Sequence, residues 1–118
     1  MTIQENVKEI KKSVSPTIEI IAASKTRSID EIQEAIKAGI NKIGENYVQE
    51  AEKKHQQLKG KTKFHLIGHL QSNKVKKAIT IFDMIETVDS EKLAKEIDKQ
   101  SKLINKVIPI LIEINSGE

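Results

Sequence analysis

The chain has 118 residues, of which 37% are hydrophobic and 31% charged, a size that suits one folded domain and excludes two. It contains no cysteine, which excludes disulfides, thiolate metal sites and cysteine nucleophiles. The net charge of +3 arises from 20 basic and 17 acidic residues that are interspersed along the chain, a pattern typical of a solvated surface rather than a nucleic-acid footprint.

Neither a secretory signal nor a membrane span is predicted. Residues 1–6 lack a basic segment followed by an apolar run, and no stretch reaches the ~18 apolar residues of a membrane helix. Aromatic residues make up only 3% of the sequence, so almost no stacking surface for bases is available. We therefore expect a cytoplasmic protein that binds neither membranes nor nucleic acids.

The pattern of apolar residues predicts an opening helix over residues 1–14, followed by repeated pairs of one strand and one helix. The first strand covers residues 18–23 and is rich in β-branched side chains. The helix after it begins with a capping box formed by Ser28 and Glu31, and Gly39 marks its end.

The later units follow the same order. Strands are predicted over residues 41–44, 63–68, 84–88 and 107–114, and helices over residues 48–58, 75–82 and 90–103. Strict alternation of nearly continuous apolar strands with helices predicts a parallel sheet. An open doubly wound sheet and a closed barrel both satisfy this pattern, but the close spacing of the strands favours the barrel. The predicted fold class is α/β, a parallel (β/α)₈ barrel of the TIM type truncated to about five βα units.

Reactive residues of parallel α/β folds gather at the C-terminal ends of the strands, and Lys25 follows the first predicted strand there. A lysine that closes an apolar strand is expected to bury its stem and direct its amine into the mouth of the barrel. Partial desolvation then favours the neutral, nucleophilic amine that forms a Schiff base. The alternative is a lysine that extends into solvent, and position alone favours this alternative.

The other polar residues near the strand ends allow more than one interpretation. Asn46 either contacts a ligand or serves an ordinary turn, and His69 is either a functional residue or a surface histidine. His65 is expected to be structural, and no metal site is expected because a third ligand at a recognisable spacing is lacking. Asp89 and Ser90 are expected to cap a helix rather than form a catalytic pair.

Four segments of the sequence, in this order, resemble the pyridoxal phosphate homeostasis protein family (YggS/PROSC type). They are residues 22–26 (AASKT), 44–50 (GENYVQE), 65–74 (HLIGHLQSNK) and 86–90 (ETVDS). The second and third segments are long and unusual, so the resemblance is specific. It extends over essentially the whole chain, including residues 115–118.

The resemblance implies a fold similar to the N-terminal barrel domain of alanine racemase and binding of pyridoxal 5'-phosphate. Lys25 matches the family's Schiff-base lysine, and Asn46 matches the asparagine near the cofactor ring. No catalytic residue is implied. The implied function is non-catalytic homeostasis of the cofactor and of amino-acid pools, with apo-enzymes that receive the cofactor as expected partners. The alternative is a pyridoxal phosphate-dependent, racemase-like enzyme, which needs a second acid/base residue.

Members of this family are considerably longer, and their later strands supply the phosphate-binding loops and an arginine facing the pyridine nitrogen. We therefore expect residues 1–118 to form the N-terminal portion of a single cofactor-binding barrel domain. Weak, exchangeable binding to Lys25 is expected without the phosphate contacts. The longer family members are expected to be monomers, whereas an exposed edge at the fifth strand would permit association of this chain.

Overall fold

The computed structural model describes residues 2–114, in which helices and strands alternate. The helices are α1 (Ile3–Ser13), α2 (Ile29–Lys37), α3 (Val48–Leu58), α4 (Val75–Ile81) and α5 (Glu91–Leu103), with a 3₁₀ turn at Ser72–Lys74. The strands are β1 (Ala22–Ala23), β2 (Lys42–Glu45), β3 (Lys63–Leu66), β4 (Met84–Val88) and β5 (Ile110–Ile112). The first residue of the predicted opening helix, and residues 115–118 of the family resemblance, lie outside the described residues.

The strands form one parallel sheet in the sequential order β1-β2-β3-β4-β5. Crossovers between parallel strands are right-handed, so a sequential order places every connecting helix on the same face of the sheet. A doubly wound sheet would instead reverse its strand order partway. The predicted parallel barrel type, with five βα units, is confirmed, and the doubly wound alternative is wrong.

The hydrophobic core lies between the sheet and its helices. Phe64 and Leu66 of β3 are almost completely buried on this side, and the ring of His55 on α3 contacts Phe64 edge-on. Side chains alternate along a strand, so His65 lies on the opposite face, which we call the inner face. Gly44 of β2 is the register partner of His65 and shares this face.

Both edge strands are shorter than predicted. β1 contains two residues instead of the six over 18–23, and β5 contains three instead of the eight over 107–114. An edge strand has ladder hydrogen bonds from one neighbour only, so less of each predicted strand is held in a regular pairing. Ile112 and Ile114 are largely exposed, which agrees with the exposed edge expected at the fifth strand.

Helix starts follow their predicted caps. Ser28 Oγ accepts a hydrogen bond of 3.1 Å from the Glu31 amide, and Glu31 Oε1 accepts one of 3.0 Å from the Ser28 amide. This backbone hydrogen bond from Ser28 is the main cause of the lowered pKa of Glu31. Ser90 Oγ accepts from the Leu93 amide at the start of α5, so its predicted capping role is confirmed. Within residues 2–114, no helix is long and apolar enough to cross a membrane.

His55 makes the stability of the fold depend on pH. Burial lowers its pKa, and the positive charges of Lys59 and Lys106 lower it further, whereas Asp83 opposes them. The folded state therefore binds this proton less readily than the unfolded chain, where the histidine has its ordinary pKa of 6.5. The stabilising effect of the neutral ring is complete above that value and is lost as the pH falls through the lower folded-state pKa.

We expect the wild-type chain to lose more stability than His55→Gln when the pH is lowered from about 7.5 to about 5.5, because the variant removes the titrating ring. Urea unfolding of both proteins at the two pH values measures the difference. Equal losses in the two proteins would contradict this prediction.

Candidate functional site

The register of the sheet brings the predicted site residues to one edge. Ala23 pairs with Gly44, Gly44 with His65, and His65 with Met84. Lys25 and Asn46 each follow this row by two residues at the C-terminal ends of neighbouring strands. The structure thus places them on adjacent strand ends, as the sequence predicts for parallel strands.

Lys25 lies in the turn that follows β1, and its side chain is exposed. Of the two interpretations, the structure has the lysine that extends into solvent, which position alone favoured, and not the one with a buried stem. The reason is that β1 ends at Ala23 and Lys25 is already in the turn with Thr26. The Lys25 side chain makes no hydrogen bond or ion pair with another residue in the range 2–114. Its amine is therefore accessible to a ligand.

A buried polar network that the sequence analysis did not predict lies beneath this turn. The Lys54 ammonium, on α3, donates to the Ser24 carbonyl oxygen at 2.6 Å, to Glu45 Oε2 at 2.9 Å and to Glu50 Oε1 at 3.0 Å. Ser24 Oγ also donates to Glu45 Oε2. The side chain of Lys54 is 8% exposed and that of Glu45 is 0% exposed. Three acceptors satisfy the three ammonium protons, as a buried lysine requires.

Glu50 extends the network to the other side of Lys25. Its Oε1 accepts a hydrogen bond of 2.9 Å from the Thr26 amide. This bond is the largest cause of the lowered pKa of Glu50, and the hydrogen bond from Lys54 lowers it further. Glu50 is therefore ionised at neutral pH and forms a charge-assisted acceptor for the turn.

A signal for this network exists in the sequence. Val48, Ala51 and Leu58 form the buried stripe of α3, and Lys54 lies on the same stripe. A lysine in that position needs a buried partner, and Glu50 stands four residues before it. The sequence does not show that Glu45 and Ser24 complete the set, because both reach Lys54 from neighbouring strands.

Asn46 is half-buried, and the backbone that follows the neighbouring strand β3 packs against it. A Cβ atom added to Gly68 would overlap the Asn46 carbonyl oxygen and lie 2.8 Å from Asn46 Cα. The Ile67 amide donates to the Glu45 carbonyl at 2.9 Å, and Thr87 Oγ1 donates to the Gly68 carbonyl at 2.7 Å. The backbone after β3 therefore packs directly against Asn46.

A cleft of about 550 Å³ opens beside Asn46, between the start of α3 and the loop that follows β3. Its lining residues include Gln49, His69, Gln71 and Lys74. Lys25 does not line this cleft. The polar side chains of the cleft lie at the C-terminal edge of the sheet, which we call the C-terminal rim, on the side towards β3.

The histidines occupy different settings. His65 is buried, as expected of a structural residue, and its Nδ1 lies 2.7 Å from Glu86 Oε2 on the neighbouring strand. His69 is exposed and its Nδ1 is 3.8 Å from Asp89 Oδ2, which favours the surface interpretation. Within residues 2–114, no group of three or more His, Asp or Glu side chains is placed to hold a metal ion.

Comparison with known proteins shows which family the chain belongs to and which proteins it is similar to. The family model described as "Alanine racemase, N-terminal domain" matches residues 1–118. The pyridoxal phosphate homeostasis protein of Pasteurella multocida is 34% identical, a match that covers 100% of this chain and 56% of the relative. That of Buchnera aphidicola subsp. Acyrthosiphon pisum is 46% identical, over 84% of this chain and 50% of the relative.

A solved structure shows the same architecture. PipY of Synechococcus elongatus PCC7942, determined with PLP bound, is 34% identical and superimposes with a TM-score of 0.93. The match covers 98% of this chain and 55% of PipY. The chain thus spans about half the length of the relatives that it matches. The expected likeness to the alanine racemase N-terminal domain is confirmed.

Replacement of Gly68 by alanine tests the contact that fixes Asn46. The new methyl group would meet backbone atoms, which cannot rotate away, so the chain after β3 must shift. We expect Gly68→Ala to lower the free energy of unfolding by about 1–3 kcal/mol, the usual effect of overpacking. Ser72→Ala, in the same loop, is the control and should change stability by less than about 0.5 kcal/mol. Urea unfolding measures both, and a Gly68 variant as stable as the control would refute the contact.

Proposed function

Because the chain belongs to the alanine racemase N-terminal domain family, we propose that it binds pyridoxal 5'-phosphate through the amine of Lys25 and takes part in homeostasis of this cofactor. The observation that carries the proposal is the accessible lysine amine at the C-terminal rim of the parallel sheet, next to Asn46. The relatives named pyridoxal phosphate homeostasis proteins, and the PLP-bound PipY, support it.

The residues at the rim fit an aromatic aldehyde. The Lys25 amine has no competing carboxylate within salt-bridge distance among residues 2–114, so it is available to condense with the aldehyde carbon and release one water. The amide of Asn46 carries both donors and an acceptor for polar substituents of the ring. When bound, the cofactor would supply its electron-withdrawing ring.

The phosphate group of the cofactor has few candidate arginine contacts in this chain. Arg27 is the only arginine in the sequence, and its guanidinium lies 3.2 Å from Glu31 in an ion pair. One guanidinium nitrogen of Arg27 is thus engaged, which leaves fewer of its donors for the bidentate contacts that hold phosphate most strongly. We expect binding that depends on Lys25 and exchanges readily, which suits a carrier that passes the cofactor to apo-enzymes.

We further propose that residues 1–118 correspond to the N-terminal portion of a single cofactor-binding barrel domain. The protein acts in the cytoplasm, where recipient apo-enzymes are made. Its role is that of a carrier without a catalytic reaction of its own.

Reductive trapping tests the role of Lys25. The purified chain is mixed with pyridoxal 5'-phosphate, reduced with borohydride and digested, and the modified lysines are located by mass spectrometry. We expect a visible absorbance band and labelling at Lys25, both lost in Lys25→Ala. Lys63→Ala, which removes an exposed lysine at the opposite end of the sheet, should leave the label in place.

Two results would argue against this function. Labels scattered over surface lysines in the wild type would show that the rim does not select Lys25. Alanine racemisation above the Lys25→Ala background would instead favour the racemase-like enzyme.

A further inference from the structure

We propose that Glu50 and Lys54 are positioning residues that fix where the Lys25 amine is presented to the cofactor. This inference rests on the proposed function of Lys25 and extends it to residues that do not contact the ligand. Both residues lie on α3, and together they hold the chain on each side of Lys25.

Ser24, the residue before Lys25, is held in place by hydrogen bonds of its own backbone. The Ser24 amide donates to the Gly44 carbonyl at 3.0 Å, and the Ser24 carbonyl accepts from Lys54 Nζ at 2.6 Å. The same carbonyl also accepts from the Arg27 amide at 3.1 Å, which closes the turn. Ser24 itself is 3% exposed, so these bonds form away from water.

The residue after Lys25 adopts a strained conformation. Thr26 has φ of 62°, in the left-handed region that β-branched residues avoid. Such conformations cost about 1–3 kcal/mol and persist only where the surroundings impose them, often at functional sites. Two contacts hold Thr26 in this conformation: the hydrogen bond from its amide to Glu50, and the bond from the Arg27 amide to the Ser24 carbonyl that closes the turn.

Helix α3 also connects the two predicted ligand-binding residues. It begins two residues after Asn46, and Lys54 pairs with Glu45, the residue that precedes Asn46. A single buried cluster therefore fixes the chain next to both Lys25 and Asn46. An amine held in this way loses less freedom when a ligand binds, which is the usual benefit of preorganisation.

A purely structural role makes a different prediction. Replacing a buried ion pair by apolar side chains is often neutral or stabilising, so stability alone would not require Lys54 and its partners. A positioning role predicts that ligand selectivity falls even where the fold is retained. The two roles are separable because 32% of the Glu50 side chain is exposed, so we expect its substitution to cost the fold less than that of the fully buried Glu45.

The experiment compares Glu50→Ala, Glu50→Gln and the control Glu52→Gln in the full chain. Glu52 lies on the same helix and, among residues 2–114, pairs only with the exposed Lys77, so its substitution reproduces the loss of charge without touching the turn. After borohydride trapping, mass spectrometry gives the ratio of label at Lys25 to label at all other lysines. Urea unfolding of each variant shows whether it is folded under the trapping conditions.

We expect Glu50→Ala to lower this ratio about tenfold, the effect of losing one charge-assisted hydrogen bond. Glu50→Gln should recover part of the loss, because its amide oxygen can still accept from the Thr26 amide. Lys54→Met should also lower the ratio, whereas Lys53→Met, at the exposed neighbouring position, should not.

The outcomes separate this inference from the function on which it rests. Selective labelling of Lys25 in the wild type together with an unchanged ratio in folded Glu50→Ala would overturn the positioning role and leave the proposed function intact. Scattered labelling in the wild type would overturn both. Selective labelling that falls in Glu50→Ala and partly returns in Glu50→Gln would establish the role.

Discussion

The ammonium of Lys54 is buried between α3 and the sheet, and the C-terminal rim is arranged around it. A buried charge is costly unless every proton has an acceptor, so Ser24, Glu45 and Glu50 must all be in place at once. These partners come from the end of β1, the end of β2 and the first turn of α3. One electrostatic requirement therefore fixes the relative positions of the elements that carry Lys25 and Asn46.

Local patterns in the sequence predicted most of the fold. The capping box at Ser28 and the apolar stripes of the helices are short-range signals, and they locate the helices closely. The edge strands were predicted too long because an apolar run does not reveal that it pairs on one side only. The choice between barrel and doubly wound sheet required the strand order, which depends on contacts between distant segments.

The site was only partly predictable for the same reason. The strand ends predicted that Lys25 and Asn46 lie at one edge of the sheet, and the structure places them there. Position alone favoured a Lys25 that extends into solvent, and the structure has it exposed, because β1 ends two residues earlier at Ala23. The partners of Lys54 could not be predicted, because Glu45 and Ser24 lie 9 and 30 residues before it and meet it only in the folded sheet. A lysine within a helix normally indicates a solvent-exposed position, whereas Lys54 is buried.

The contacts that organise Lys25 are confined to residues 24–54. The turn at Thr26, the acceptor Glu50 and the ammonium of Lys54 all belong to the first two strand and helix units, and none of these contacts uses β4 or β5. The conformation of the turn that carries Lys25 is thus a property of the first two βα units.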